Sequence, residues 1–170
     1  HDGELESASA TTWAVLRDRG EIAARMRSIA AATTARSSSH NPHSHDRVGA
    51  ALAQITIGLT RWARGERLSA NQMVRGHATR TVTDLVGSLL PSANAVVLDS
   101  LDPTRRLEQA HPGVAERLDT ALRREIPDVA HELLDILDVV AAHSDAPSRA
   151  RTAIAAVHTT LARSRVHAQA

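Results

Sequence analysis

The 170-residue chain contains no Lys, Cys, Phe or Tyr. Each absence excludes something. Without cysteine there is no disulfide scaffold, no thiolate-ligated zinc and no thiol nucleophile. Without Phe and Tyr, the aromatic content is Trp13 and Trp62 alone. The core must then be built from Leu, Ile, Val and Ala, which suits closely packed helices. No apolar run approaches the roughly 18 residues of a membrane-spanning helix. Nothing near His1 resembles a signal peptide, so a cytoplasmic location is expected. The 8 glycines are dispersed, and no phosphate-cradling G-x-x-x-x-G-K or G-x-G-x-x-G run occurs.

What is present is alanine and arginine. Ala occurs 31 times and all 20 basic residues are Arg. A very GC-rich genome or a deliberately reduced alphabet would each produce this bias. Hydrophobic residues make up 42% and charged residues 23%, which places the chain among folded domains rather than disordered tails. Twenty Arg against 19 acids leave a formal charge of +1. No excess of positive charge marks a nucleic-acid partner, and none is expected. No membrane partner is expected either.

Apolar spacing predicts helices throughout. A weak one covers about 4–18, with Leu5, Trp13 and Leu16 apolar, and stops at Gly20. A second covers about 21–36, with Ile22, Met26 and Ile29 at spacings of four and three. The polar stretch 37–45 reads as a loop, and Asp46 is placed to cap the following helix. That helix, about 47–63, carries Val48, Leu52, Ile55, Leu59 and Trp62 at 4-3-4-3 spacing, a clean buried stripe. Further helices are expected over about 69–90, 103–110, 112–124, 127–142 and 147–165. Pro91 ends the first of these, and the Asp102-Pro103 pair opens the second. Strand and hairpin signals are nearly absent. The expectation is one all-α domain over 1–170, an antiparallel bundle of about six to eight helices. It divides into N-terminal helices 1–36, a loop 37–45, a main bundle 46–165 and a tail 166–170.

Candidates for chemistry are few. His40, His43 and His45 with Asp46 offer metal-ligand atoms, but their spacing matches no standard zinc motif and a solvated loop is the plainer reading. No metal site is therefore assigned. Asp84, Glu108, Glu132, Asp135 and Asp138 could serve as bases by position only, and a solvated helix face accounts for them. No serine sits in a nucleophile elbow. Two stretches stand above this background. One is the corner Arg64-Gly65-Glu66, a helix end followed by a new helix start. The other is Asp102-Pro103-Thr104-Arg105-Arg106-Leu107-Glu108, continuing to His111-Pro112. There two guanidiniums are expected in a first helical turn, where the helix dipole disfavours them. Either an external anion or a carboxylate such as Glu66 or Glu108 would relieve that.

With these two stretches the chain resembles the C-terminal helical region of bacterial aminoglycoside-type nucleotidyltransferases and their relatives. In that family an R-G-E corner leads into a helix, and a D-P-x-R-R-x-E segment precedes an aromatic-Pro turn. The counterparts are Arg64-Gly65-Glu66 with Leu68-Ser69-Ala70, and Asp102 to Glu108 with His111-Pro112. Asp2-Gly3-Glu4-Leu5 is similar to the turn where the family's catalytic sheet gives way to helices. The likeness covers most of 1–140, with Leu107 and His111 standing where aromatic residues are usual. It implies a parent enzyme that moves a nucleotidyl group from a nucleoside triphosphate to a hydroxyl, with magnesium held by a Gly-Ser…Asp-x-Asp segment. That segment is absent from this sequence, so the chain is expected to bind neither magnesium nor nucleotide and to be inactive alone. The implied role is to pack on a catalytic domain and wall the pocket of a small-molecule acceptor. Arg64, Glu66, Asp102, Arg105, Arg106 and Glu108 are the candidates for substrate or domain contact. The alternative is a stand-alone helical module that binds a ligand or a second copy of itself, natural or engineered with a reduced alphabet.

Overall fold

The computed structural model describes Trp13, Ala14, Leu16, 21–38, 44–93, Leu98 and 102–168, with backbone only for 33–38 and 162–168. Among these residues every regular element is helical and there is no strand. The all-α expectation holds, with seven helices when 67–89 is counted as one. The chain divides into two units, His1–His40 and Asn41–Ala170.

In the first unit, α1 (Ile22–Ser38) follows Glu21, whose φ of 61° is left-handed, and Glu21 O accepts from the Arg25 amide at 3.1 Å. The helix expected over about 4–18 falls outside the described residues except at Trp13, Ala14 and Leu16. None of these is helical, and Leu16 is fully exposed rather than inward.

The second unit holds α2 (Ser44–Ala63), α3 (Arg67–Asn71), a π-helical segment (Gln72–Ala78), α4 (Thr79–Leu89), α5 (Leu107–Ala110), α6 (Pro112–Leu122), α7 (Ile126–Ala141) and α8 (Pro147–Ala168). Its centre is α7. Val129, Ala130, Leu133, Leu134, Ile136, Leu137 and Val140 are all buried, because α7 is packed by α2, α4, α6, α8 and the π segment at once. Facing it, α2 buries Val48, Leu52 and Ile55 of the stripe its spacing predicts, with Ala51 beside them, while Leu59 and Trp62 are only partly buried. Each fully buried Leu or Ile contributes roughly 1.5–3 kcal/mol of transfer free energy. Alanines and Gly58 let the backbones approach closely. A Cβ at Gly58 would run into the Val74 side chain of the π segment. In that segment the extra residue per turn lets the Thr79 hydroxyl donate to Val74 O five residues back at 3.0 Å.

Three boundaries differ from expectation. Helix α2 starts at Ser44, and α1 runs to Ser38, so helix occupies both ends of the expected 37–45 loop; 39–43 lie outside the described residues. Helix α8 continues to Ala168, into the expected tail. The third difference is the expected helix from Pro103. Residues 103–106 form a turn, and only Leu107–Ala110 are helical. Asp102 Oδ1 accepts from the Thr104 amide at 3.0 Å and from its hydroxyl at 2.5 Å, while the Arg105 amide donates to Asp102 O at 3.1 Å. This local side-chain turn competes with helix formation. Arg106 then adopts a left-handed φ of 67°, which no helix interior accommodates.

Candidate functional site

The first corner forms because Gly65 takes a φ of 83°, which reverses the chain after α2 at little steric cost. Across it, Arg64 Nε donates to Glu66 Oε1 at 2.8 Å, and both side chains are exposed. The Glu66 carboxylate therefore has its guanidinium partner within its own corner. Beside it, the Arg67 guanidinium lies 3.5 Å from the centroid of the half-buried Trp62 ring, a cation–π stack. Leu68 is 90% exposed, a large apolar side chain left in solvent.

The second corner is the turn at Asp102. The carboxylate of Asp102 is used locally on Thr104, Pro103 is buried, and Arg105, Arg106 and Glu108 are exposed. The two arginines precede α5 rather than sitting in its first turn, so the expected clash with a helix dipole does not arise. The buried Leu107, Ala110 and His111 anchor this corner to the body. Burial holds the His111 ring below the usual histidine pKa. The six candidates thus fall into two anchored, outward-facing corners. Helix α3 packs on α2 and the π segment, while α5 packs on α6 and α4.

A third polar assembly went unread in the sequence. The Ser44 hydroxyl, fully buried, donates to Asp145 Oδ1 at 2.5 Å and accepts the Asp145 amide at 3.0 Å. The His45 amide donates to Asp145 Oδ1 at 2.8 Å, and its ring Nδ1 lies 2.8 Å from Oδ2. Asp145, one hundred residues away, thereby caps α2 from outside the helix and places negative charge at its positive end. This corrects the expectation that Asp46 caps the helix. Asp46 sits in the first turn, 3.1 Å from His45 Nε2. The hydrogen bond from Ser44 first, then those from the His45 side chain and amide, hold the Asp145 carboxyl well below the usual carboxylate range against the opposing effect of desolvation.

Serine, histidine and aspartate meet here, but not as a nucleophile. A catalytic serine needs the histidine as its base. In this assembly the Ser44 proton goes to Asp145, and His45 bonds to the same carboxylate. Beyond it, a cleft of about 290 Å³ opens between α2 and α8, walled by Val48, Gly49 and Leu52 on one side and Arg149, Ala150 and Ala153 on the other. His45 and Asp46 close its end. Among the described residues no three His, Asp or Glu side chains are arranged to hold a metal ion. His40 and His43 lie outside the described residues. No Asp-x-Asp occurs in the sequence, so the residues present do not fit the magnesium–nucleotide group that the family resemblance implies. No family model, curated protein or solved structure matches the chain.

Proposed function

We propose that this chain is the helical, substrate-side part of a nucleotidyltransferase-like protein, packing on a catalytic domain and helping to wall the acceptor pocket. The reading rests on the two motifs, Arg64-Gly65-Glu66 and Asp102 to Glu108, and one observation favours it. Both motifs occupy exposed corners on a rigid helical body, and Leu68, beside the first, presents a large apolar side chain to solvent. A docked domain would reach both corners. Transfer chemistry belongs to the partner domain, whose carboxylates hold magnesium and the triphosphate. The acidic and basic side chains of the corners orient the acceptor.

The test begins with the encoded polypeptide upstream of His1. A Gly-Ser…Asp-x-Asp segment is expected there, and the joined protein should transfer a nucleotidyl group to a hydroxyl acceptor. Arg106→Ala should then weaken acceptor binding more than Arg163→Ala. An encoded polypeptide without that segment, or equal effects of the two variants on binding, would overturn the reading.

A further inference from the structure

We infer that the cleft between α2 and α8 binds a small amphiphilic carboxylate, its anionic end on Arg149 and its apolar body over Val48, Leu52 and Ala150. The floor is apolar and almost fully withdrawn from solvent, with Val48 1%, Leu52 6% and Ala150 4% exposed. At about 290 Å³, and about 30 Å³ per occupant the size of water, it has room for roughly ten non-hydrogen atoms. The polar groups around it differ in availability. Asp145 is held by Ser44 and His45, and Asp46 faces the His45 ring. Arg149 lines the cleft, and among the described residues no carboxylate pairs with it. It stands in the first turn of a 22-residue helix, where a cation is unfavourable unless an anion sits beside it. An apolar trough with one available guanidinium at its edge selects a single negative charge on a hydrocarbon body. An ammonium would find both nearby carboxylates already engaged. None of the corner residues takes part, so this site stands or falls independently of the nucleotidyltransferase-like reading.

Gly49 supplies the blocking variant. Its side of α2 faces the cleft, and a Cβ there meets nothing within 4 Å. Leu at 49 fills the trough without displacing the core. The experiment is an NMR titration of the full chain with octanoate, below its micelle concentration, and with octylammonium as the opposite charge. Saturable octanoate shifts are expected at 45–52 and 149–153. Arg149→Ala should weaken binding about tenfold through loss of a charge-assisted hydrogen bond, and Gly49→Leu should abolish it. Arg149 is exposed, so its variant keeps the test intact should Gly49→Leu fail to fold. Absence of saturation, binding unchanged in Arg149→Ala, or octylammonium binding as tightly as octanoate would each overturn the assignment.

Discussion

Two glycines on one helix should respond oppositely to the same substitution. Gly58 is buried where α2 crosses the π segment, and a Cβ added there would run into the Val74 side chain. Met73 Cβ and Cγ also stand at 3.4 and 3.5 Å from the same position, so it is lined by the π segment at more than one residue. Val74 is fully buried and, being β-branched in a helix, has essentially one rotamer available. The helices must therefore separate. Overpacking of this kind costs about 1–3 kcal/mol, while replacing a mid-helix glycine with alanine returns about 0.5–1 kcal/mol. Given so hard a neighbour the upper part of the range applies, and Gly58→Ala should destabilise by about 2 kcal/mol. At Gly49 nothing opposes the Cβ, so Gly49→Ala should stabilise by about 0.5–1 kcal/mol. For a chain of this size each kcal/mol moves Tm by about 2–4 °C. The two variants should then melt about 5–12 °C apart. Urea unfolding followed by circular dichroism at 222 nm measures both, with the m-value expected to stay constant. Val74→Ala in the Gly58→Ala background makes room for the new methyl, so the double variant should lose less than the sum of the singles. Gly58→Ala as stable as Gly49→Ala would refute the close approach of α2 and the π segment.

Arg75 donates to the Leu122 carbonyl at the end of α6, to the Arg124 carbonyl in the turn beyond it, and through Nε to Asn71 Oδ1 at 2.8 Å. Arg75→Ala should cost about 2 kcal/mol in urea unfolding, and Arg75→Lys should recover little of it, because a single ammonium cannot span two carbonyls and an amide. Acidification should weaken the fold in two stages. His111 is held below the usual value of 6.5, so the unfolded chain binds more protons and stability starts to fall as the pH drops past about 6.5. Asp145 is held below its usual 3.8, so its contribution is complete above that pH and is lost further down. Unfolding measured from pH 8 to pH 2 should lose the first stage in His111→Phe and show a shallower second stage in Ser44→Ala.

The legible parts of this fold are those where one helix face is apolar and its neighbour is local or numerous. The 4-3-4-3 run from Val48 to Trp62 could be read because α2 needs only its period to state which face is buried. Helix α7 was equally plain from its apolar density. The Asp102-Pro103 pair misled, because the helix-start signal of proline competes with an aspartate that satisfies the Thr104 amide by itself. The balance tipped at Arg106, whose left-handed conformation carries no compositional mark in a non-glycine residue. The Ser44–Asp145 assembly could not be read at all. It joins residues 101 apart, and each of them alone looks like an ordinary helix-start residue. Of the site, the two corners could be located from their motifs, whereas the cleft arises from the packing of α2 on α8.

The composition explains more of this architecture than its near-neutral charge suggests. A lysine-free chain meets every demand for a cation with a planar fork of five donors. Such a fork can close a helix end, as Arg75 does on α6, or reach between helices, as Arg117 does to Glu132 at 2.5 Å and Arg47 does to Asp84. These bonds do work that tyrosine hydroxyls and lysine amines share in ordinary domains, and they permit an alanine-rich core in which backbones lie close. Net charge is then a poor guide to function here, because arginines such as Arg47, Arg64, Arg75, Arg117, Arg123 and Arg151 are spent on carboxylates and carbonyls of the same fold. The informative cation is one whose fork is not spent. Arg149 meets that condition among the described residues and also borders the α2–α8 cleft, and the coincidence of an available guanidinium with an apolar trough is what separates this arginine from those that merely brace the bundle.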